Sequence, residues 1–130
     1  MSVLAEVARR AAADSPLWSA ALVARDGQPE FAGSCPGSHL LGVEMIYEGY
    51  LLHRGRSRLF SQEDPELALL TGDYLYAAGL TEICSTGDLD AVRELAELIS
   101  ACARAQAEGE LDQAGLWRDT VARLGAARPA

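Results

Sequence analysis

At 130 residues, with 49% hydrophobic and 23% charged side chains, the chain has the composition of one globular domain rather than a disordered one. Eleven basic residues, all arginine, stand against 19 acidic ones, and the formal net charge of −8 argues against the broad cationic surface of general nucleic-acid binding. Aromatics are only 6% and alanine is abundant, which favours packed helices over a β-sandwich.

Val3 to Ala13 reads as a first helix, with Val3, Leu4, Val7, Ala8 and Ala11 as a mild apolar face. Asp14, Ser15 and Pro16 interrupt it, and Pro16 suits the first position of a short second helix through Leu17, Trp18, Ala21 and Leu22. Gly27, Pro29, Gly33, Pro36 and Gly37 make the stretch from Asp26 to Ser38 a loop. His39 to His53 is the next helix, with Leu40, Val43, Tyr47 and Tyr50 on one stripe. A basic loop, Arg54-Gly55-Arg56-Ser57-Arg58, follows it.

Asp64 as N-cap and Pro65 at the first position start a helix that runs to about Cys84. Between Glu66 and Glu82 its one charge is Asp73, and apolar residues line both sides: Leu67, Leu70, Tyr74 and Ala77 on one, Leu69, Tyr76, Leu80 and Ile83 on the other. A helix apolar nearly all round must be covered all round. In so small a chain, another subunit is expected to cover part of it, through Leu67, Leu70, Tyr76, Leu80 and Ile83. Thr86-Gly87-Asp88 ends that helix and caps an amphipathic one through Ala107. A last helix is expected from about Leu111 to Leu124, with a frayed tail from Ala126 to Ala130. The expected fold is all-α, a single domain over residues 1–130 built from five or six helices.

No apolar run has the length of a membrane span; Leu67 to Leu80 is interrupted by Thr71, Gly72 and Asp73. The N-terminus lacks the apolar core of a signal peptide. Cys35, Cys84 and Cys102 are odd in number and without CxxC spacing, so neither a disulfide scaffold nor a zinc site is indicated. A cytoplasmic location is the expectation that fits.

Candidate chemistry is sparse. Arg54, Arg56 and Arg58 are the densest positive charge, and guanidinium forks match phosphate oxygens; a solvated loop with ordinary ion pairs is the competing reading. Glu44 and Glu48, four apart, have the spacing of shared metal ligands but lack the Glu-x-x-His pairs of di-metal bundles, so surface or ion-paired glutamates are expected. His39 and His53 lie at opposite ends of one helix, where structural roles are expected. Glu108 and Glu110 flank Gly109 as solvated charge.

One segment carries more. Leu69-Leu70-Thr71-Gly72-Asp73-Tyr74-Leu75-Tyr76-Ala77 resembles the Leu-x-Gly-Asp-(Tyr/Phe)-Leu-x-x-(Ala/Gly) helix of trans-polyprenyl diphosphate synthases. Val43-Glu44-Met45-Ile46-Tyr47-Glu48-Gly49-Tyr50-Leu51-Leu52-His53 resembles the family's Val-Glu-Leu-Ile-His-x-x-Ser-Leu-Ile-His helix. Gly87-Asp88 and then Glu108-Gly109-Glu110 with Gln113 resemble its downstream Gly-Asp and Glu-Gly-Glu-x-x-Gln segments, so the resemblance covers residues 39–113. It implies a truncated isoprenoid-synthase-like helical bundle.

The departures are specific. In the family the helix ending in His runs into an Asp-Asp-x-x-Asp motif that holds magnesium against the allylic diphosphate; here His53 runs straight into Arg54-Gly55. The Gly-Lys-Arg-x-Arg-Pro segment that grips the second diphosphate is missing from a chain without lysine, and no second aspartate-rich motif occurs before Ala130. Ionising an allylic diphosphate needs divalent ions on clustered oxygen ligands. The resemblance therefore implies no catalytic residue, no metal site and no cofactor of the chain's own, with magnesium reaching a site only through a catalytic partner.

It implies a diphosphate contact at Arg54, to which the spacing of the arginine cluster adds Arg56, and an apolar pocket at Tyr47, Tyr50, Leu51 and Tyr74. Two functions follow as expectations: a non-catalytic small subunit that stabilises, or sets product length in, a heteromeric polyprenyl diphosphate synthase; or a stand-alone homodimeric helical protein binding an isoprenoid or other apolar ligand.

Overall fold

A computed structural model describes residues 2–24 and 27–126. Among them lie six helices: α1 (Val3–Asp14), α2 (Pro16–Ala21), α3 (Leu40–Leu52), α4 (Pro65–Cys84), α5 (Leu89–Ala107) and α6 (Ala114–Ala126). Among the described residues there is no strand, and a single bridge joins Leu22 to Phe60. None of these helices is long and apolar enough to cross a membrane.

Local chemistry places most of the ends. The Ser15 hydroxyl accepts from Leu17 N–H ahead of Pro16, and Asp64 accepts from Glu66 and Leu67 N–H ahead of Pro65. Each such cap contributes about 1 kcal/mol. Asp88 caps α5 through Ala91 N–H, and its other oxygen lies 2.7 Å from His39 Nε2, which ties the start of α5 to the start of α3. Gly87 takes the left-handed conformation that ends α4, with φ of 82°.

The last helix begins three residues later than expected. Gln113 Nε2 donates to Glu110 carbonyl O, and Asp112 Oδ1 accepts from Ala114 N–H, so Leu111 to Gln113 form the approach to α6 rather than its first turn. Asp26 of the expected loop, and the expected frayed tail beyond Ala126, lie outside the described residues.

Helices α3 and α4 form the central pair and share the most extensive helix–helix contact. Helices α1 and α2 pack on one side of it, α5 and α6 on the other. Two cores result. One gathers Val7, Met45, Leu52, Phe60 and Leu75; the other gathers Val43, Ile46, Ile83, Leu95, Leu98, Trp117 and Val121. Each central helix serves both cores, and that is why α4 is apolar on both sides.

The residues of the expected subunit interface divide within the chain. Ile83 is fully buried within the chain, while Leu80 and Tyr76 pack on one core and Leu67 on the other. Of the five expected interface residues Leu70 alone is exposed, at 57%, beside Leu69 at 50%.

The central pair packs through glycines. Gly42 and Gly49 on α3 face Gly79 and Gly72 on α4, a seven-residue spacing on each helix. A Cβ built at Gly49 would stand 2.7 Å from Gly72 carbonyl O, and one at Gly79 would stand 2.8 Å from Gly42 carbonyl O. Backbone therefore lies on backbone, as where small residues let helices approach closely. Gly72 also makes room for His53, whose Nε2 is 3.1 Å from Asp73 Oδ1. Both histidines thus have structural contacts.

At the surface of α1, Glu6 accepts from Arg9 and Arg10. Those hydrogen bonds, that of Arg9 first, hold its carboxyl at about 2, down from its ordinary 4.5. A lowered folded-state value stabilises above the unfolded value and is lost as pH falls through the folded one. The stability difference between wild type and Glu6→Gln is thus expected to shrink from pH about 4.5 and to vanish near pH 2 in urea titrations.

Candidate functional site

The basic loop after α3 divides its arginines. Arg58 turns inward: Nε donates to Glu48 Oε1 at 2.9 Å and Nη1 to Glu44 Oε1 at 2.6 Å. Both glutamates are fully buried. Glu44 Oε2 accepts from Phe31 N–H at 2.7 Å, and Glu48 Oε2 accepts from the Ser57 hydroxyl and from the N–H groups of Arg58 and Leu59. Four carboxylate oxygens thus meet donors on every side, as buried charges require. The glutamates are ion-paired, as one sequence expectation had it, but they are not at the surface. They clamp the segments at Phe31 and Ser57–Phe60 onto α3.

Arg54 and Arg56 turn the other way and line a cleft of about 410 Å³ with Tyr47, Tyr50 and Leu51 of α3. The facing residues are Gln106 at the end of α5, Leu111 to Ala114, and Trp117 and Arg118 of α6; Glu30 and Phe31 also line the cleft. Arg54 crosses the cleft. Its Nη1 donates to Gln106 Oε1, its Nη2 to Leu111 carbonyl O at 3.3 Å, and its guanidinium lies 4.9 Å from the Tyr50 ring centroid. Buried Gln113 accepts from the Tyr50 hydroxyl at 3.3 Å.

The floor is aromatic. Phe31, Tyr47, Tyr50 and Trp117 form five ring contacts with centroids 4.9 to 5.7 Å apart. Burial pushes the Tyr47 and Tyr50 hydroxyls above their ordinary range, so both are protonated donors at neutral pH. The Trp117 indole N–H is buried and meets no hydrogen-bond acceptor among the described residues. Burial, and Glu44 after it, pushes the neighbouring core's Cys35 thiol up to about 11, which keeps it a thiol.

Five of the sequence candidates, Tyr47, Tyr50, Leu51, Arg54 and Arg56, thus meet in one place. Tyr74 does not join them. It stacks on Trp18 at 5.1 Å and donates to Asp14 Oδ2 at 2.5 Å, on the far side of the central pair. The helical phase of α4 turns it toward α1 and α2, whereas Tyr47 and Tyr50 face α6. Phe31, Trp117 and Arg118 were missed by sequence reasoning. The one available signal was the spacing of Gln113 and Trp117, four apart on one face of a final helix.

Among the described residues, no three His, Cys, Asp or Glu side chains are grouped to hold a metal ion. Chemically, the arrangement offers guanidinium and amide donors above an apolar floor: a place to bind and orient, with no activated nucleophile evident in it.

No family model, curated protein or solved structure matches this chain.

Proposed function

We propose that the chain is a non-catalytic small subunit of a heteromeric polyprenyl diphosphate synthase, one that supplies helical wall rather than metal chemistry. The observation that carries this reading is the outward stripe of α4. Leu69 and Leu70 are half exposed or more at its start, Ala77, Thr81 and Cys84 continue along the exposed side, and its charge, Asp73, lies against His53. That helix is the one resembling the synthases' Gly-Asp helix. Exposed leucines on an otherwise acidic surface favour a protein partner.

The test is co-expression with a full-length synthase that has both aspartate motifs. A complex should co-purify and change the yield or length of product, while the chain alone gives no elongated product from dimethylallyl and isopentenyl diphosphates with magnesium. Leu70→Asp should abolish the complex and leave the melting temperature within a few degrees, because the side chain is exposed before assembly. Unchanged activity and product length with and without the chain would refute the reading.

The aromatic cleft favours a second reading, a stand-alone homodimer that binds an isoprenoid or other apolar ligand. A stable homodimer carrying bound lipid, seen by native mass spectrometry, would select it over the first.

A further inference from the structure

Of the nine described arginines, five are ion-paired and four are not. Arg9 and Arg10 pair with Glu6, Arg58 with Glu44 and Glu48, Arg93 with Asp90, and Arg123 with Glu94. Arg54, Arg56, Arg104 and Arg118 have no carboxylate partner among the described residues, and three of these four line the same cleft. On a chain of net charge −8, three guanidiniums without a direct ion pair around one concavity make the cleft locally positive.

Their roles differ. Arg54 is held by Gln106, the Leu111 carbonyl and the Tyr50 ring, all neutral, so it braces the cleft while keeping its charge. Arg56 and Arg118 are exposed and approach the cleft from opposite walls, one from the loop after α3 and one from α6. Two carboxylates also line it. Asp112 caps the first turn of α6 through Ala114 N–H, and Glu30 lies at the Phe31 end. Three positive charges against two negative leave one net positive charge, which suits a single anionic group better than a highly charged one.

The floor sets the rest of the ligand. Tyr47 and Tyr50 are half-buried in the wall of the cleft, and Phe31 and Trp117 back them as buried rings. A flat apolar body finds offset and edge contacts there that an inorganic ion cannot make. The volume of about 410 Å³ is in the range of small-molecule sites.

We propose that this cleft is a binding site for a small organic monoanion with an aromatic body, its anionic group held between Arg56 and Arg118 and its ring against Tyr47 and Tyr50. Arg118 lies on α6, outside the segment that resembles the synthases, and the proposal does not depend on the subunit reading.

The purified full-length chain alone is titrated by calorimetry with 2-naphthoate, with neutral 2-naphthalenemethanol and with inorganic phosphate. Naphthoate should bind one per chain, about tenfold or more tighter than the alcohol or phosphate. Arg118→Gln and Arg56→Gln should each weaken naphthoate about fivefold to tenfold with unchanged circular dichroism, and 0.5 M salt should weaken it as well, roughly in line with screening. Arg104→Gln, an unpaired arginine away from the cleft, should leave affinity unchanged. The proposal is overturned if naphthoate and its alcohol bind equally, if phosphate binds as tightly as naphthoate, if no binding is seen at millimolar ligand, or if Arg104→Gln costs as much as Arg118→Gln. A synthase partner that fails to bind would leave these results untouched, so the two readings fail separately.

Discussion

Replacing Gly49 with alanine is expected to destabilise the fold by about 2–4 kcal/mol, against a gain of roughly 1 kcal/mol in helix propensity. The added Cβ would stand 2.7 Å from Gly72 carbonyl O and 3.0 Å from the Tyr76 ring. Neither obstacle yields easily: the first is backbone of the facing helix, and the second is a ring packed on the core and on His53. Relief requires α3 and α4 to separate, and both cores are built on that pair. Urea denaturation measures the effect. Gly115→Ala is the control, because its Cβ would meet only Arg118 Nη2 at 3.7 Å. It should be neutral or stabilise by on the order of 0.5 kcal/mol. Equal effects at Gly49 and Gly115 would show that the close helix contact does not hold the pair together.

Arg58→Met is expected to be the other severe substitution, costing about 3–5 kcal/mol. It leaves two fully buried carboxylates, Glu44 and Glu48, without the guanidinium that bridges them. The cost comes mainly from stranded charge rather than from lost attraction, since desolvating an ion is expensive when nothing pairs with it. Adding Glu44→Gln and Glu48→Gln to Arg58→Met should therefore recover a large part of the loss, although each single glutamine variant in the wild-type background destabilises. A chevron or equilibrium urea series on the single, double and triple variants reads this directly. Should Arg58→Met cost less than about 1 kcal/mol, the clamp on the Phe31 and Ser57–Phe60 segments would have no structural weight.

The helices themselves were largely legible because their signals are local. A serine or aspartate before a proline satisfies free N–H groups within one turn, so Ser15-Pro16 and Asp64-Pro65 mark two helix starts without reference to the rest of the chain. Gly87 marks an end for an equally local reason, its positive φ. The start of α6 was misplaced because Leu111 continues the apolar pattern, while the side chains of Asp112 and Gln113 hold the approach in another conformation. The glycines at 42, 49, 72 and 79 were visible as residues but not as a contact. Their seven-residue spacing means little on one helix and acquires meaning only when two helices face each other.

The candidate site divides along the same line. Tyr47, Tyr50, Leu51, Arg54 and Arg56 are near neighbours in sequence; helical phase brings the first three to one end of α3, and the loop that follows it turns the two arginines to the same cleft. Tyr74 was placed with them on the strength of a resemblance, yet the rotation of α4 about its axis sends it to the opposite core. Arg58, two residues from Arg56, was drawn into the interior by two carboxylates a helical turn apart. Arg118 and Trp117, some sixty residues away, complete the cleft.

By itself, then, the sequence determined an all-α chain, the positions of most of its caps and breaks, and one helix too apolar for a surface. Those properties follow from hydrogen bonding and hydrophobic periodicity within a few residues. The tertiary structure alone decided which face of each helix meets which core, so that Ile83 became interior, Leu67, Tyr76 and Leu80 pack partly on the two cores, and Leu70 stays exposed. It also decided which arginines are neutralised and which stand unpaired around an aromatic floor, because pairing depends on the relative phase of helices far apart in the chain, and no local pattern encodes that.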